Sequence, residues 1–412
     1  MINIAVLGYG TVGSGVVEVI NTNYDIIAKK AGEEVNVKYV LDLRDFPGDE
    51  IQSKITHNFE DIINDDEIKI VVEVMGGTNP SYDFVKQSLL KGKSVATSNK
   101  ELVAKHGEEL LQIARDKNVN FFFEASVGGG IPIIRPLIEC LTADKIVEIT
   151  GILNGTTNYI LSEMTSKGKA FEDVLKVAQD LGYAEKNPSA DVDGHDACRK
   201  IAILSSLAWG KTVNYEEVYT EGITKITDTD IEYAKKLSSV IKLVGTSKLT
   251  EKGISAMVAP YMLSENHPLS TVNGVFNAIF VKGNVLGDTM YYGSGAGKLP
   301  TASAVVSDVV SAVKHIGENV RIDWAAEKQN VLDVKDVIVK ALIRVNTENF
   351  DCAMAKAEEI FGKCQFVKLE NKNDEFAVIV SNETEGSLKE KCDKLKACDC
   401  VIELRNVIRM EG

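Results

Sequence analysis

The stretch Gly8-Tyr9-Gly10-Thr11-Val12-Gly13 constrains the fold of this chain most. It follows an apolar run at residues 2–7 and opens a helical pattern that continues to about residue 31. In that setting G-x-G-x-x-G reads as a dinucleotide-binding turn. Its glycines permit a tight turn, close approach of backbone to a pyrophosphate, and helix–sheet packing. The helix N-terminus adds amides and partial positive charge for the phosphates. Further strands at 35–41, 68–74, 94–97 and 119–124 alternate with helices at about 80–91 and 105–116. Such alternation predicts a parallel sheet with helices on both faces. The expected fold class is α/β, with a Rossmann-type parallel-sheet domain over residues 1–130.

The texture changes at Gly128-Gly129-Gly130 and Pro132, a domain-boundary or ligand-loop signal. Strands are expected at 146–153, 254–261 and 275–286, the last with a turn at Gly283-Asn284. Helices are expected at about 157–167, 171–182, 195–210, 215–219 and 228–240. This mixture predicts an α+β substrate and dimerisation domain over 131–316. A long helix at about 300–317 carries an apolar stripe for packing back on the first domain. Residues 318–334 are charged and weakly periodic, as a linker is. Residues 335–412 read β-α-β-β-α-β, a ferredoxin-like sandwich. Its strands are expected at 337–345, 365–369, 375–381 and 400–409, and its helices at 352–361 and 387–396.

Composition narrows the function classes. A chain of 412 residues is too long for one core, so two or three domains are expected. Net charge is −14 with no offsetting basic block, which argues against nucleic-acid binding. No run approaches the ~18 apolar residues of a membrane span. The N-terminal residues lack signal-peptide character, so the expected location is cytoplasmic. The cysteines number seven, and none form C-x-x-C. A reduced compartment fits that usage. Cys398-Asp399-Cys400 is a tight pair, and ordinary packing is favoured there over a redox or metal role.

A second signal is the stretch from Asn187 to Gly210. Asp196 and Lys200 stand four apart, so on a helix they share one face. A carboxylate and an amine held together can pass a proton to or from a substrate oxygen. Beside the dinucleotide turn, this predicts hydride transfer coupled to proton transfer. His195 adjoins Asp196 but points elsewhere on the helix, and is read as surface or packing. The cofactor signals conflict. Asp42, at the end of the second strand, suits the ribose hydroxyls of NAD, whereas Arg44 suits the phosphate of NADP. The balance leans slightly to NADP.

Several motifs agree in order with one family. They are GYGTVG at 8–13, VVEVMGG at 71–77, ATSNKELVA at 96–104 and FEASVGGGIPII at 123–134. GILNGTTNYIL at 151–161, AQDLGYAEKNPSADVDGHDACRKIAIL at 178–204 and GAGKLPTASAVVSD at 295–308 complete the set. Over about residues 1–320 the chain resembles homoserine dehydrogenase, and the monofunctional form, without an aspartate kinase segment, is expected. The resemblance implies NAD(P)-dependent interconversion of L-aspartate 4-semialdehyde and L-homoserine, in threonine, methionine and isoleucine biosynthesis. It implies that Lys200 is the acid/base, Asp196 its partner, and Lys100 a second active-site lysine. Glu185 and Asp191 match positions that hold the substrate amino group, with Asn154, Gly155 and Thr156 nearby. Cofactor contacts are implied at Gly8, Gly10, Thr11, Val12, Gly13, Arg44, Gly76, Lys100 and Gly297. Glu124, Val127, Gly129 and Ile131 match a sodium site, through one carboxylate and three carbonyls. A homodimer or homotetramer is expected.

The tail resembles an ACT domain, a fold that often binds an amino-acid effector. Its first turn, Asn346-Thr347-Glu348-Asn349-Phe350, lacks the usual proline and glycine. A structural role is therefore favoured over sensing. Another small-molecule dehydrogenase, or a catalytically silent sensor, are the competing expectations.

Overall fold

The computed structural model describes residues 1–411. In chain order the first elements are β1 (Ile2–Leu7), α1 (Thr11–Thr22), α2 (Tyr24–Ala31), β2 (Val35–Leu41), β3 (Ile55–Thr56), α3 (Glu60–Ile63), β4 (Ile68–Glu73), α4 (Ser81–Leu90), β5 (Ser94–Thr97), α5 (Lys100–Asp116) and β6 (Phe121–Phe122). The middle of the chain forms β7 (Ile146–Ile152), α6 (Gly155–Lys167), α7 (Phe171–Asp180), α8 (Ser189–Val192), α9 (His195–Trp209), β8 (Lys211–Thr212), β9 (Tyr219–Thr220), α10 (Asp228–Lys236), β10 (Ser239–Thr250), β11 (Gly253–Ser264), β12 (Phe276–Gly283), β13 (Asp288–Ser294) and α11 (Lys298–Lys314). The last elements are β14 (Ala325–Lys328), β15 (Ile338–Asn346), α12 (Phe350–Phe361), β16 (Gln365–Val367), β17 (Glu375–Thr384), α13 (Glu385–Lys396) and β18 (Glu403–Glu411). The chain divides into two compact units, neither of them continuous in sequence. Unit one holds Met1–Val147, Arg199–Tyr215 and Val281–Gln329; unit two holds Glu148–Cys198, Glu216–Phe280 and the chain from Asn330.

Unit one is built on a parallel sheet ordered β3-β2-β1-β4-β5-β6. Its central strands are apolar runs because helices cover both faces. The strand order reverses at β1, and ligands of such sheets bind beyond the strand ends at that switch point. There β1 runs into Gly8, at φ +97. A Cβ on Gly13 would lie 1.9 Å from the Gly8 carbonyl oxygen, so only glycine lets α1 start this close to β1. A Cβ on Gly15 would lie 2.8 Å from the Lys298 carbonyl oxygen, which marks where α11 crosses α1.

The stretch expected as a charged linker is anchored in unit one as far as Gln329. β14 pairs with β8, and buried Trp324 donates from Nε1 to Thr212 Oγ1 at 3.0 Å. The charges there are solvent-facing, and the anchors Ile322 and Trp324 are too sparse to show as a period.

Unit two is built on a mixed sheet running β7-β10-β11-β18-β15-β17-β16, with β12 beside β7 and β9 beside β11. β10 and β11 pair antiparallel along twelve positions, from Ser239↔Ser264 to Thr250↔Gly253. The expected helix at 228–240 ends early, at Lys236. Ser238 turns the chain at φ +48, and β10, which sequence patterning missed, begins at Ser239. The helix expected at 215–219 is a short 3-10 turn followed by β9. Gly283 N–H donates to Gly287 O at 2.9 Å, so β12 ends as expected but β13 starts later, at Asp288. The tail has the expected β-α-β-β-α-β order, with its strands arranged fourth, first, third, second. β18 pairs with β15 on one side and with β11 on the other, Tyr261 opposite Arg409.

A buried ion triad fastens this tail. Arg344 on β15 donates to Asp230 of α10 at 2.8 Å and to both oxygens of Glu375 on β17 at 3.0 and 2.8 Å. Asn406 on β18 donates to the other Asp230 oxygen at 3.0 Å. We expect Arg344→Met to destabilise the fold by about 3–5 kcal/mol, because two carboxylates stay buried without their cation. Urea unfolding checks this, and an unchanged midpoint would remove the triad from the account of stability.

Candidate active site

The dinucleotide turn of unit one opens on a cavity of about 500 Å³ lined by Gly8, Gly10, Asp42, Arg44, Phe59 and Met75, among others. Asp42 is fully engaged within it. Its Oδ2 accepts the Tyr9 N–H at 2.8 Å and Arg44 Nη2 at 2.9 Å; its Oδ1 accepts the Arg44 N–H at 3.0 Å and Arg44 Nε at 2.9 Å. The Arg44 guanidinium holds the Asp42 carboxyl well below the usual carboxylate range. These bonds use the roughly four acceptor positions of a carboxylate. Arg44 remains largely exposed.

A second carboxylate orders the next loop. Glu73, at the end of β4, is fully buried. Its Oε1 accepts the Met75 N–H at 2.8 Å and the Gly76 N–H at 3.4 Å, and its Oε2 accepts the Thr97 hydroxyl at 2.7 Å. Thr97 Oγ1 in turn accepts the Asn99 N–H at 2.9 Å. Asn99 caps α5 by accepting the Leu102 N–H, and its Nδ2 donates to Gly77 O at 2.6 Å. This chain fixes Gly76, and it fixes Lys100 as the first residue of α5.

A third carboxylate orders the glycine-rich segment. Glu124 accepts the N–H groups of Ile133, Ile134 and Arg135 at 2.7, 2.8 and 2.8 Å. Its own N–H donates to Asp308 Oδ2 of α11 at 2.9 Å, and Asp308 also pairs with Arg135. Burial pushes the Asp308 carboxyl up to about 7, against the pull of Arg135. A Cβ on Gly129 would lie 2.3 Å from the Gly295 carbonyl oxygen, so the segment lies directly on the loop that carries Gly297. Gly297 takes φ +120 at the head of α11.

In unit two, Asn154 does two jobs at the start of α6. Its Oδ1 caps the helix by accepting the Thr157 N–H at 2.9 Å. Its Nδ2 donates to Asp191 Oδ1 at 2.7 Å and Asp196 Oδ2 at 2.9 Å. Two carboxylates thus share one neutral amide at the head of α9. Gly155 is required beside it, since a Cβ there would lie 2.7 Å from Val275 O. Thr156 Oγ1 donates to Tyr183 O at 2.6 Å. Glu185 lies exposed on the preceding loop, and His195 is exposed too. Asp196 and Lys200 are 3% and 7% exposed, buried charges one turn apart on α9.

Two family models match the chain: homoserine dehydrogenase over residues 132–310, and the homoserine dehydrogenase NAD binding domain over 8–124. A homoserine dehydrogenase of Bacillus subtilis is 38% identical over 100% of this chain and 98% of its own length. The crystal structure of a homoserine dehydrogenase from Thiobacillus denitrificans superimposes with a TM-score of 0.92 at 38% identity, covering 100% of this chain and 98% of that one. A hyperthermophilic archaeal homoserine dehydrogenase in complex with NADPH matches with a TM-score of 0.65 at 30% identity, over 76% of this chain and 97% of that one.

The chain belongs to the homoserine dehydrogenase family. As a homoserine dehydrogenase it is an NAD(P)-dependent oxidoreductase. The geometry adds residues that sequence patterning passed over. Glu73, Thr97 and Asn99 tie Gly76 and Lys100 to one network. Arg135 and Asp308 tie Glu124 to α11. Asn154 also accepts the Thr157 hydroxyl at 3.0 Å, which closes the 154–157 loop on itself. The one trace of Glu73 in the sequence is a single acid closing an apolar strand. Among the described residues no group of three or more His, Cys, Asp or Glu side chains is placed to hold a metal ion.

The raised value of Asp308 makes a pH prediction. Its folded value, about 7, lies above the ordinary 3.8. Its contribution to stability is thus fully present below the unfolded value and is lost as pH rises through about 7. Asp308→Asn should flatten the dependence of Tm on pH between these limits. An identical slope in both proteins would show that the carboxyl does not titrate there.

Proposed function

We propose that Lys200, oriented by Asp196, moves the proton in the interconversion of L-aspartate 4-semialdehyde and L-homoserine. The observation that carries this reading is the Asn154 amide shared by Asp191 and Asp196. A neutral amide between two carboxylates lets both stay close without direct repulsion. Asp191, with Glu185, then serves the substrate ammonium, while Asp196 serves Lys200 one turn along α9.

A bound nicotinamide cofactor would supply the hydride chemistry, giving hydride to the aldehyde carbon or accepting it from the alcohol. As the aldehyde is reduced, negative charge grows on its oxygen. The Lys200 ammonium stabilises that charge and donates the proton. In the oxidising direction the neutral amine accepts the hydroxyl proton. Lys100, fixed at the head of α5 by the Glu73 network, adds a second positive charge. Gly155 and Thr156 shape the loop behind Asn154.

NADP is the favoured cofactor, with NAD tolerated. Support comes from Asp42, whose acceptor positions are taken up by Tyr9 and Arg44 and so are closed to ribose hydroxyls. Arg44, largely exposed and held to Asp42 through Nε and Nη2, keeps Nη1 to offer a phosphate. The amides of Gly10, Thr11, Val12 and Gly13 would hold the cofactor phosphates, with Gly8, Gly76 and Gly297 allowing close backbone approach. A sodium ion fits the donor chemistry of Glu124, Val127, Gly129 and Ile131. Three amides leave the Glu124 carboxylate about one acceptor position, and hard cations take carboxylate and carbonyl oxygens.

Lys200→Ala should lower kcat for homoserine oxidation about 10²–10⁴-fold, while titration with NADPH shows unchanged cofactor affinity. Full turnover in that variant would sink the assignment. Arg44→Ala should weaken NADP binding about 10–100-fold, the loss of one charged hydrogen-bonding group. NAD binding should hold or improve, because Asp42 is released. Equal losses for both cofactors in initial-rate measurements would overturn the NADP reading.

A further inference from the structure

A buried ammonium in unit two takes no part in the steps above. Lys242, on β10, is 2% exposed. Its Nζ donates to Val272 O at 2.6 Å, Asn158 Oδ1 at 3.0 Å and Asn273 Oδ1 at 3.0 Å, with Ser162 Oγ at 3.5 Å. Three N–H groups thus meet three neutral oxygens, the full donor capacity of a lysine. Asn158 and Ser162 lie on α6, whereas Val272 and Asn273 lie on the segment that enters β12. The ammonium therefore ties that segment to one face of α6. Further bonds close the tie. Asn158 Nδ2 donates to Val272 O at 3.1 Å and to Phe276 O at 2.9 Å, and the Gly274 N–H donates to Ser162 Oγ at 3.1 Å.

The tied segment reaches the head of α6. The Asn158 N–H donates to Asn154 O at 3.2 Å, one helical turn back. Val275 O lies where a Gly155 side chain would point, 2.7 Å from a Cβ built there. Asn154 is thus held along the helix through Asn158 and at the next residue through Gly155. A buried charge is costly, and a position that needed only packing would be served by an apolar side chain. We propose that Lys242 is a positioning residue for the reaction of homoserine. Its ammonium holds residues 272–276 against the head of α6 and so sets the Asn154 amide between Asp191 and Asp196. This role presupposes the duties proposed above for those two carboxylates.

The same geometry gives the tie a pH dependence. Among the described residues every group bonded to the ammonium is neutral. Tyr261, opposite Lys242 on β11, stays neutral as well, since burial raises its phenol. Burial alone pulls the Lys242 ammonium down to about 8. Above that pH it becomes an amine with two N–H groups, and one of its three oxygens loses its donor.

The test compares the full chain with Lys242→Met, Asn154→Ala and the double variant, by initial rates of homoserine oxidation and by titration with NADPH. Lys242→Met should lower kcat/KM for homoserine about 3–30-fold and leave NADPH affinity unchanged. In the Asn154→Ala background the same substitution should cost little more, because it acts through that amide. The advantage of the native chain over Lys242→Met should shrink as pH rises through about 8. Asn273→Ala removes one acceptor at an exposed residue and should show a smaller loss. It decides the matter if melting curves show Lys242→Met unfolded: native kcat/KM in Asn273→Ala would then overturn the role. Native kcat/KM in a folded Lys242→Met, or additive losses in the double variant, would overturn it while a raised demand for homoserine in Asn154→Ala left the carboxylate reading standing. Native kcat/KM in Asn154→Ala itself would overturn that reading and the Lys242 role with it.

Discussion

Carboxylates that accept backbone amides hold the working loops of unit one. Asp42 takes the N–H groups of Tyr9 and Arg44, Glu73 those of Met75 and Gly76, and Glu124 those of residues 133 to 135. Each loop leaves the end of a strand or precedes a helical turn, where the sheet ladder no longer satisfies the backbone. A buried amide without a partner is costly, and so is a buried carboxylate. Placing one against the other removes both costs at once. The outcome is irregular backbone whose amides are satisfied, and two of the three carboxylates, Asp42 and Glu73, order loops beside the cavity at the dinucleotide turn.

Unit two solves a related problem with a side chain. Asp191 and Asp196 would repel if they met directly. The Asn154 amide separates them and orders both, while its other face caps α6. The helix start and the carboxylate pair therefore depend on one residue, and loss of that amide would disturb shape and charge together.

Much of this was legible in the sequence. The α/β alternation in unit one shows because its strands are buried on both faces and read as apolar runs. The tail order shows because its elements are short and well separated by polar turns. β10 did not show. Lys242 sits at a core position of that strand, satisfied by Val272 O at 2.6 Å and Asn158 Oδ1 at 3.0 Å, and it breaks the alternation that marks a strand. The Asp42 and Arg44 signals conflicted because a sequence displays two charges without their mutual bonds. Glu73 escaped notice because its partners are mostly backbone amides, which no side-chain pattern reveals. Asn154 escaped its fuller role because Asp191 and Asp196 are remote in the chain.

The position of β18 has a consequence for how the molecule is made. It lies between β11 and β15, so the sheet of unit two cannot close until that late segment is available. Pairings this remote in sequence carry a large loop-closure cost before they are rewarded, and they form slowly. Until then β11 and β15 each present an open edge, the kind of surface that other strands capture. Unit two is thus most exposed to misassembly during synthesis, and a chaperone that shields sheet edges would act there first.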